Sequence, residues 1–144
     1  MNKLIICRGI PASGKTFWAK KWVLEDPEHR VRINQDDIRL MLGKYWVPSR
    51  EKLVQEIQFD AIVEALSRGF NVVIDNTNLN KKVLDQFNRL IRTYEDYEIE
   101  YKDFFDTLLS VCIERDKNRD LQVTEKVIRS FYNNYKDIYP LNGR

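Results

Sequence analysis

The sequence predicts an α/β protein with a central parallel sheet of about four strands and helices on both faces. Short, nearly continuous apolar runs such as residues 3–8 and 70–75 are typical of strands buried on both faces. Segments of helical character separate these runs, and long crossovers of this kind place successive strands parallel. With 144 residues, 43% of them hydrophobic and 32% charged, the composition fits one globular domain over residues 1–144.

The first third of the chain alternates between strand and helix. "KLIICR" (3–8) is a predicted strand that opens into a glycine-bearing loop, and "KTFWAKKWVLE" (15–25) follows with helical character. "RVRIN" (30–34) is a second short strand. A helix is predicted to begin near Asp36 and to continue through "IRLML".

A longer helix is predicted over residues 50–68. Its apolar residues recur at a four-residue spacing, which indicates one buried face. These residues are Leu53, Ile57, Ala61 and Ala65, with Val54, Ile62 and Leu66 beside them. Gly69 stands where a glycine commonly ends a helix.

The rest of the chain continues the alternation. "FNVVID" (70–75) is the clearest buried strand, and a helix follows at roughly 81–93. A strand over 97–105 and two helices near 107–117 and 124–136 complete the predicted elements. The final residues, "YPLNGR", are expected to leave the fold.

Composition narrows the possible classes of protein. No apolar run is long enough to span a bilayer, and "LIIC" is too short for the core of a signal peptide. The two cysteines, Cys7 and Cys112, lie in apolar segments and are expected to be buried free thiols in a reducing cytoplasm. With a single histidine they leave no zinc site, and a net charge of +2 does not by itself indicate a nucleic-acid binder.

One motif carries chemistry by itself. "GIPASGKT" matches G-x-x-x-x-G-K-[ST] and lies between a predicted strand and a predicted helix, the context that a phosphate-binding loop requires. Its glycines allow the backbone N–H groups to point inward, and the helix N-terminus adds positive potential. Lys15 is expected to reach the outer phosphates of a nucleoside triphosphate and Thr16 to bind Mg²⁺. The predicted loop consists of Gly9, Ile10, Pro11, Ala12, Ser13, Gly14, Lys15 and Thr16.

The loop alone does not identify the reaction, because many classes of enzyme use it. The sequence lacks an N-K-x-D guanine-binding motif and the length of a remodelling ATPase, which favours a small phosphotransferase. Asp75 ends an apolar strand, where it could hold Thr16 or a Mg²⁺-bound water. The alternative is an ordinary turn, with Asn78 capping the next helix.

"INQDDIR" (33–39) places two carboxylates at the start of a predicted helix. Asp36 or Asp37 could cap that helix, or one of them could be a catalytic base. Arg39 lies three residues after Asp36 and therefore on the same side of the helix, where it could hold a substrate phosphate or remain a solvated arginine. The residues alone leave both questions open.

Taken together and in order, these segments resemble the polynucleotide 5′-hydroxyl kinases, the kinase domains of end-healing enzymes of the phage and animal types. "KTFWAKKW", "INQDDIR", "QFD", "DNTNLN" and "CIERDKNR" each resemble an element of that family, over nearly the whole chain. The resemblance implies a P-loop kinase fold that uses ATP and Mg²⁺. The D-x-D-G-T motif of the family's phosphatase domain is absent, so no removal of 3′-phosphates is expected.

The resemblance also implies a role for individual residues. Asp36 would be the general base, and Arg39 would contact a phosphate of the acceptor strand. Lys15 and Thr16 would hold the donor phosphates and the metal. Arg119 would clamp the phosphates of ATP from the lid, with Arg115 as the second choice.

The implied reaction is transfer of the γ-phosphate of ATP to the 5′-OH end of DNA or RNA. Two alternatives stay open: a small-molecule or nucleoside kinase on the same fold, and a nucleotide-gated binding module of a larger repair assembly. Tyr45 and Trp46 could stack on a base of the acceptor or pack on the domain. The sequence distinguishes neither DNA from RNA nor a monomer from a homo-oligomer.

Overall fold

A computed structural model describes residues 1–144 and contains a four-stranded parallel sheet flanked by six helices. The strands are β1 (Asn2–Arg8), β2 (Arg30–Ile33), β3 (Asn71–Ile74) and β4 (Tyr97–Asp103). The helices are α1 (Lys15–Glu25), α2 (Gln35–Met41), α3 (Glu51–Ser67), α4 (Lys81–Ile91), α5 (Leu109–Lys117) and α6 (Glu125–Tyr135). The predicted α/β class is confirmed, with element ends within a few residues of those expected. None of the six helices is both long enough and apolar enough to cross a membrane.

The order of the strands brings three strand ends to one edge of the sheet. The order is β2-β3-β1-β4, and every neighbouring pair is parallel. Ile74 pairs with Ile6 on one side and with Ile33 on the other. The residues that follow these strands therefore leave the sheet close together, which is the arrangement that forms a ligand crevice in open α/β sheets.

Both faces of the sheet are covered, as the sequence predicts. Leu4 and Ile6 point toward α3 and α4, where they join the largest apolar cluster. Ile5 and Cys7 point to the opposite face and pack with Ala19 of α1. This alternation follows from the period of a strand, in which successive side chains point to opposite faces. Cys7 and Cys112 are both buried free thiols, as expected.

Helix α3 buries Ala65 of the predicted four-residue row, together with the predicted neighbouring residues Val54, Ile62 and Leu66. Leu53 is 47% exposed, so the buried face is centred on the neighbouring row. The buried residues of α3 are Val54, Gln58, Ile62, Ala65 and Leu66. Residues four positions apart form two adjacent rows on this helix, and the four-residue spacing alone does not tell which row is buried. Gly69 ends the helix as predicted, with a φ of 81° and its N–H donating to the Leu66 carbonyl at 3.1 Å.

The C-terminal tail does not leave the fold, and the expectation that it does is wrong. The Asn142 carbonyl accepts from the Leu109 N–H at 2.9 Å, and the Asn142 N–H donates to the Phe105 carbonyl at 3.1 Å. Tyr139 donates from its hydroxyl to the Leu79 carbonyl at 2.8 Å. Tyr139 and Leu141 pack on a cluster of buried residues from α5 and α6, and burial of this apolar surface holds the tail in place.

A buried carboxylate anchors the segment between α5 and α6. Asp116 is 1% exposed, and its two oxygens accept from the N–H groups of Val123 and Thr124, both at 2.9 Å. Thr124 has a φ of 85°, which is rare for a residue with a branched side chain. The carboxylate therefore satisfies two backbone donors where the chain turns into α6.

We expect Asp116→Ala to lower the free energy of unfolding by about 2–3 kcal/mol, because two backbone N–H groups lose their buried, charged acceptor. Urea denaturation followed by circular dichroism measures the change. Asp120→Ala, at an exposed position nearby, is the matched control and should unfold like the original protein. Equal stability of the two variants would contradict the anchoring role.

Candidate active site

A cleft of about 1060 Å³ opens at the carboxyl edge of the sheet. The loop between β1 and α1 forms one wall, and the start of α2 with the segment before α3 forms another. Residues from the end of α5 and from α6 close the third side. The sequence-predicted residues that line this cleft are Pro11, Ala12, Gly14, Lys15, Thr16, Asp36, Arg39, Asp75, Arg115 and Arg119.

The loop of residues 9–16 has the backbone geometry of a phosphate cradle. Ala12 and Gly14 have positive φ values of 65° and 108°. A Cβ on Gly9 would lie 2.6 Å from Ser13 Oγ and 3.2 Å from Phe104 Cβ, so this position has no room for a side chain. The N–H groups of residues 12–16 have no backbone acceptor. A run of free N–H groups at the start of a helix is a binding site for an anion.

Lys15 is buried inside this loop. Its Nζ donates to the carbonyls of Gly9 at 2.9 Å and Ile10 at 2.7 Å, and to Ser13 Oγ at 3.2 Å. Burial lowers the pKa of Lys15 to about 8. Each hydrogen-bond partner is uncharged, so this ammonium group has no anionic partner in the loop. A bound phosphate would supply one.

Asp75 lies directly after β3 and faces Thr16. Its Oδ2 accepts from Thr16 Oγ1 at 3.1 Å and from Arg32 Nε at 2.8 Å. Its Oδ1 is buried and has no hydrogen-bond partner. Burial raises the pKa of Asp75, while Arg32 and Thr16 act in the opposite direction. A hydroxyl beside a carboxylate with an unpaired oxygen fits Mg²⁺, which prefers oxygen ligands and keeps several waters.

Neither Asp36 nor Asp37 caps helix α2, so the capping alternative holds for neither carboxylate. Asn34 Oδ1 accepts from the Asp37 N–H at 2.9 Å and is the N-cap. Asp37 accepts from Asn34 Nδ2 at 3.0 Å and from Arg32 Nη1 at 2.6 Å. Burial raises the pKa of Asp37, but these partners outweigh it and leave that pKa lowered. Asp37 is therefore a supporting acid that fixes the start of the helix.

Asp36 points into the cleft. Its side chain is 61% exposed, and Oδ1 accepts from Arg39 Nη1 at 2.7 Å and from the Tyr45 hydroxyl at 3.0 Å. Burial and the charge of Asp36 raise the pKa of Tyr45 to about 12, so the tyrosine is a hydrogen-bond donor at neutral pH. Both partners bind Oδ1, which leaves Oδ2 of Asp36 free to accept a proton.

Arg39 is held on two sides and is not the solvated arginine of the alternative interpretation. Its side chain is 15% exposed, and Glu51 binds it through both carboxylate oxygens, at 2.9 Å from Nε and 2.5 Å from Nη2. The spacing of Asp36 and Arg39 predicted their contact, but no signal in the sequence pointed to Glu51. The two partners orient the guanidinium group at the rim of the cleft.

The two candidate lid arginines both reach the cleft. Arg115 Nη1 donates to the Ala12 carbonyl at 3.4 Å, directly over the phosphate cradle. Arg119 lies one turn further along, with Nη1 3.8 Å from Asp116 Oδ1. Neither side chain is buried, so both are free to turn toward a bound anion.

Several polar residues at this edge were missed or misassigned from the sequence. Asn76 accepts from the Gln35 N–H at 2.9 Å and donates to Gln58 Oε1 at 2.7 Å, which ties α2 to α3. Asn78 is structural, because it donates to the Cys7 carbonyl at 2.8 Å, but it does not cap the next helix. Asn80 does so, and accepts from the Lys82 N–H at 2.8 Å.

A phosphate cradle between strand and helix, with an acidic end on the neighbouring parallel strand, defines the class of P-loop nucleotide-binding proteins. The chain belongs to a family of that class described as the AAA domain, whose model matches residues 4–138.

Comparison with individual proteins confirms the resemblance to polynucleotide kinases. A protein of Autographa californica nuclear polyhedrosis virus named as a bifunctional polynucleotide kinase/RNA ligase is 24% identical over 140 residues, which are 87% of this chain and 19% of that protein. An L-seryl-tRNA(Sec) kinase of Methanococcus maripaludis is 27% identical over 92% of this chain and 52% of its own length. A chain of the Pnkp1/Rnl/Hen1 RNA repair complex superposes with a TM-score of 0.73 and 26% identity, over 96% of this chain and 46% of that chain.

This chain therefore spans about a fifth of the viral relative and under half of the matching chain in the repair complex. The fold and the relatives together support a kinase of the P-loop class that uses a nucleotide.

The pair of Arg39 and Glu51 gives a pH-dependent prediction. Hydrogen bonds from Arg39 hold the pKa of Glu51 below its usual range. The pair therefore contributes its full stability above the usual pKa of about 4.3, and this contribution is lost as the pH falls through the lowered value. We expect Glu51→Gln to lower the melting temperature by several degrees at pH 7 and to differ less from the original protein near pH 3.

Differential scanning fluorimetry over this pH range measures the effect. Glu56→Gln, an exposed position on the same helix, is the control and should match the original protein at each pH. A difference for Glu51→Gln that persists unchanged to pH 3 would show that the ion pair is not its cause.

Proposed function

We propose that this protein transfers the γ-phosphoryl group of ATP to the 5′-OH end of a DNA or RNA strand. One observation carries the proposal: the phosphate cradle and the pair of Asp36 and Arg39 face the same cleft. Phosphoryl transfer needs a donor phosphate and an activated hydroxyl in line with each other. The similarity to proteins named as polynucleotide kinases supports a nucleic-acid end as the acceptor.

On the donor side, the N–H groups of the loop and Lys15 bind the β- and γ-phosphates of ATP. Thr16 would bind Mg²⁺, and Asp75, which holds the Thr16 hydroxyl, would hold the ion through water; the ion would neutralise charge on the phosphates. Arg119 contacts the transferred phosphoryl group from the end of α5, and Arg115 lies over the cradle as the second candidate. These cations stabilise charge that develops in the transition state.

On the acceptor side, Asp36 accepts the proton of the 5′-OH through its free oxygen. Arg39 binds a phosphate of the same strand and fixes the position of the hydroxyl. Its hydrogen bonds to Asp36 and Glu51 hold the guanidinium before the substrate arrives, which reduces the entropy lost on binding.

The test is an acceptor panel with radiolabelled ATP. We expect label in short 5′-OH DNA or RNA oligonucleotides and none in free nucleosides, sugars or sugar acids. Label in small molecules but never in oligonucleotides would favour a small-molecule kinase on the same fold. No label in any acceptor would favour a nucleotide-gated binding module.

Substitutions separate the two sides of the cleft. We expect Asp36→Ala to reduce transfer by a factor of about 100 or more while ATP still binds, because only the base is lost. Lys15→Ala should reduce both transfer and ATP binding, measured by calorimetry. Asp137→Ala, an exposed position on the last turn of the chain, is the control and should behave as the original protein. Near-normal turnover of Asp36→Ala would remove Asp36 as the base.

A further inference from the structure

Phe17 is an exposed aromatic residue on the wall of the candidate active site. It is 79% exposed although it directly follows the metal-binding position of the phosphate loop, and it lines the same cleft as Asp36. It belongs to none of the three apolar clusters of the protein. A single exposed apolar residue is ordinary on a protein surface, but one that lines a cleft together with a second exposed ring offers apolar surface to a ligand.

The neighbours of Phe17 on α1 show how it is placed. Thr16 faces Asp75 after β3, where its Oγ1 donates to Oδ2 at 3.1 Å, and Trp18 packs against Phe104 after β4, with ring centroids 6.3 Å apart. Phe17 lies between these two residues on the helix and lines the cleft that Asp36 and Arg39 also line.

A second exposed ring lies beside Arg39 in the same cleft. Trp46 is 56% exposed and lines the cleft, and its ring centroid is 5.9 Å from the Arg39 guanidinium carbon. The neighbouring Tyr45 is held by Asp36 through its hydroxyl, so of the two aromatic residues only Trp46 is mostly exposed.

We propose that Phe17 and Trp46 form a stacking site for the nucleobase of the terminal nucleotide of the acceptor strand. The proposal rests on the proposed function and specifies the substrate: a nucleotide whose base lies on apolar rings while Asp36 and Arg39 hold its hydroxyl and phosphate. Stacking on aromatic rings is strong and tolerates any base, because each base has a π-face.

The chemistry of the two rings disfavours a small polar acceptor at this position. A sugar or a sugar acid is held mainly by hydrogen bonds to its many oxygens, and of the two rings only that of Trp46 carries a donor, its indole N–H. A nucleobase covers apolar surface on one face and keeps its polar edge in water. Arg39, close to the Trp46 ring, supplies the cation for the adjoining phosphate.

The test is equilibrium binding of single-stranded oligonucleotides to the full chain without ATP, measured by fluorescence anisotropy. Two oligonucleotides with the same sequence are compared, one intact and one with an abasic residue at its 5′ end. We expect the intact strand to bind more tightly by a factor of about 5 to 100. Phe17→Ala should bind the intact strand as weakly as the abasic one, and Phe17→Trp should retain the preference for the base.

Leu24→Ala is the matched control, because Leu24 is 76% exposed on the same helix but lies outside the cleft. It should bind both strands as the original protein does. The proposal is overturned if Phe17→Ala still distinguishes the two strands, if the original protein does not, or if Phe17→Ala acts only by changing the oligomeric state in solution.

Measurements of oligonucleotide binding and of phosphoryl transfer distinguish a failure of the stacking site from a failure of the proposed kinase activity. A preference for the intact strand without phosphoryl transfer to any 5′-OH end would contradict the kinase activity and leave the stacking site standing. Transfer to intact and abasic strands with equal KM would contradict the stacking site and leave the kinase activity standing.

Discussion

The buried carboxylate of Asp75 is the constraint on which the rest of the cleft depends. Its side chain is 1% exposed, and a carboxylate at that depth stays ionised only beside a cation. Arg32 from the neighbouring strand supplies the cation, at 2.8 Å, and its other nitrogen binds Asp37 at 2.6 Å. The arginine that Asp75 requires therefore also fixes the first turn of α2. Removing one partner of such a pair would leave an uncompensated buried charge.

This linkage explains how the walls of the cleft, which are built from distant parts of the chain, keep one arrangement. Thr16 binds Asp75, Asp75 binds Arg32, and Arg32 binds Asp37 at the start of α2. Asp36 directly precedes Asp37 on that same turn, and Glu51 at the start of α3 holds Arg39 from the other side. Because each link is a hydrogen bond between an acid and a hydroxyl or a cation, the geometry is preorganised before a substrate binds.

Most of the fold could be predicted from the sequence because local pattern and tertiary context agree in it. Apolar runs such as "NVVI" form strands in a sheet covered on both faces, and the phosphate motif occurs at its usual place between strand and helix. The sequence left alternatives open where several residues have equal local propensity. Asn34, Asp36 and Asp37 are all good caps, and in the folded protein Asn34 caps α2 while Arg32 binds Asp37. The tail was misjudged because its apolar residues alternate with turn-forming ones and find their partners only in the folded protein.

The candidate site divides in the same way. The phosphate-loop motif predicted the cradle, and the three-residue spacing predicted the contact between Asp36 and Arg39, because both are local features of the sequence. Spacing could not reveal Arg32, Glu51 or Phe17. Whether these side chains contribute to the cleft depends on the strand order and on which face of a helix meets the cleft.

The central claim is that Asp36 faces the hydroxyl that accepts a phosphoryl group from a nucleotide in the cradle. The most direct measurement is a crystal structure of the chain with a non-hydrolysable ATP analogue, Mg²⁺ and a 5′-OH oligonucleotide. The claim predicts the 5′-oxygen about 2.6–3.2 Å from an Asp36 oxygen and about 3–3.5 Å from the γ-phosphorus. A 5′ end bound outside the cleft, or a 5′-oxygen turned toward a carboxylate other than Asp36, would contradict it.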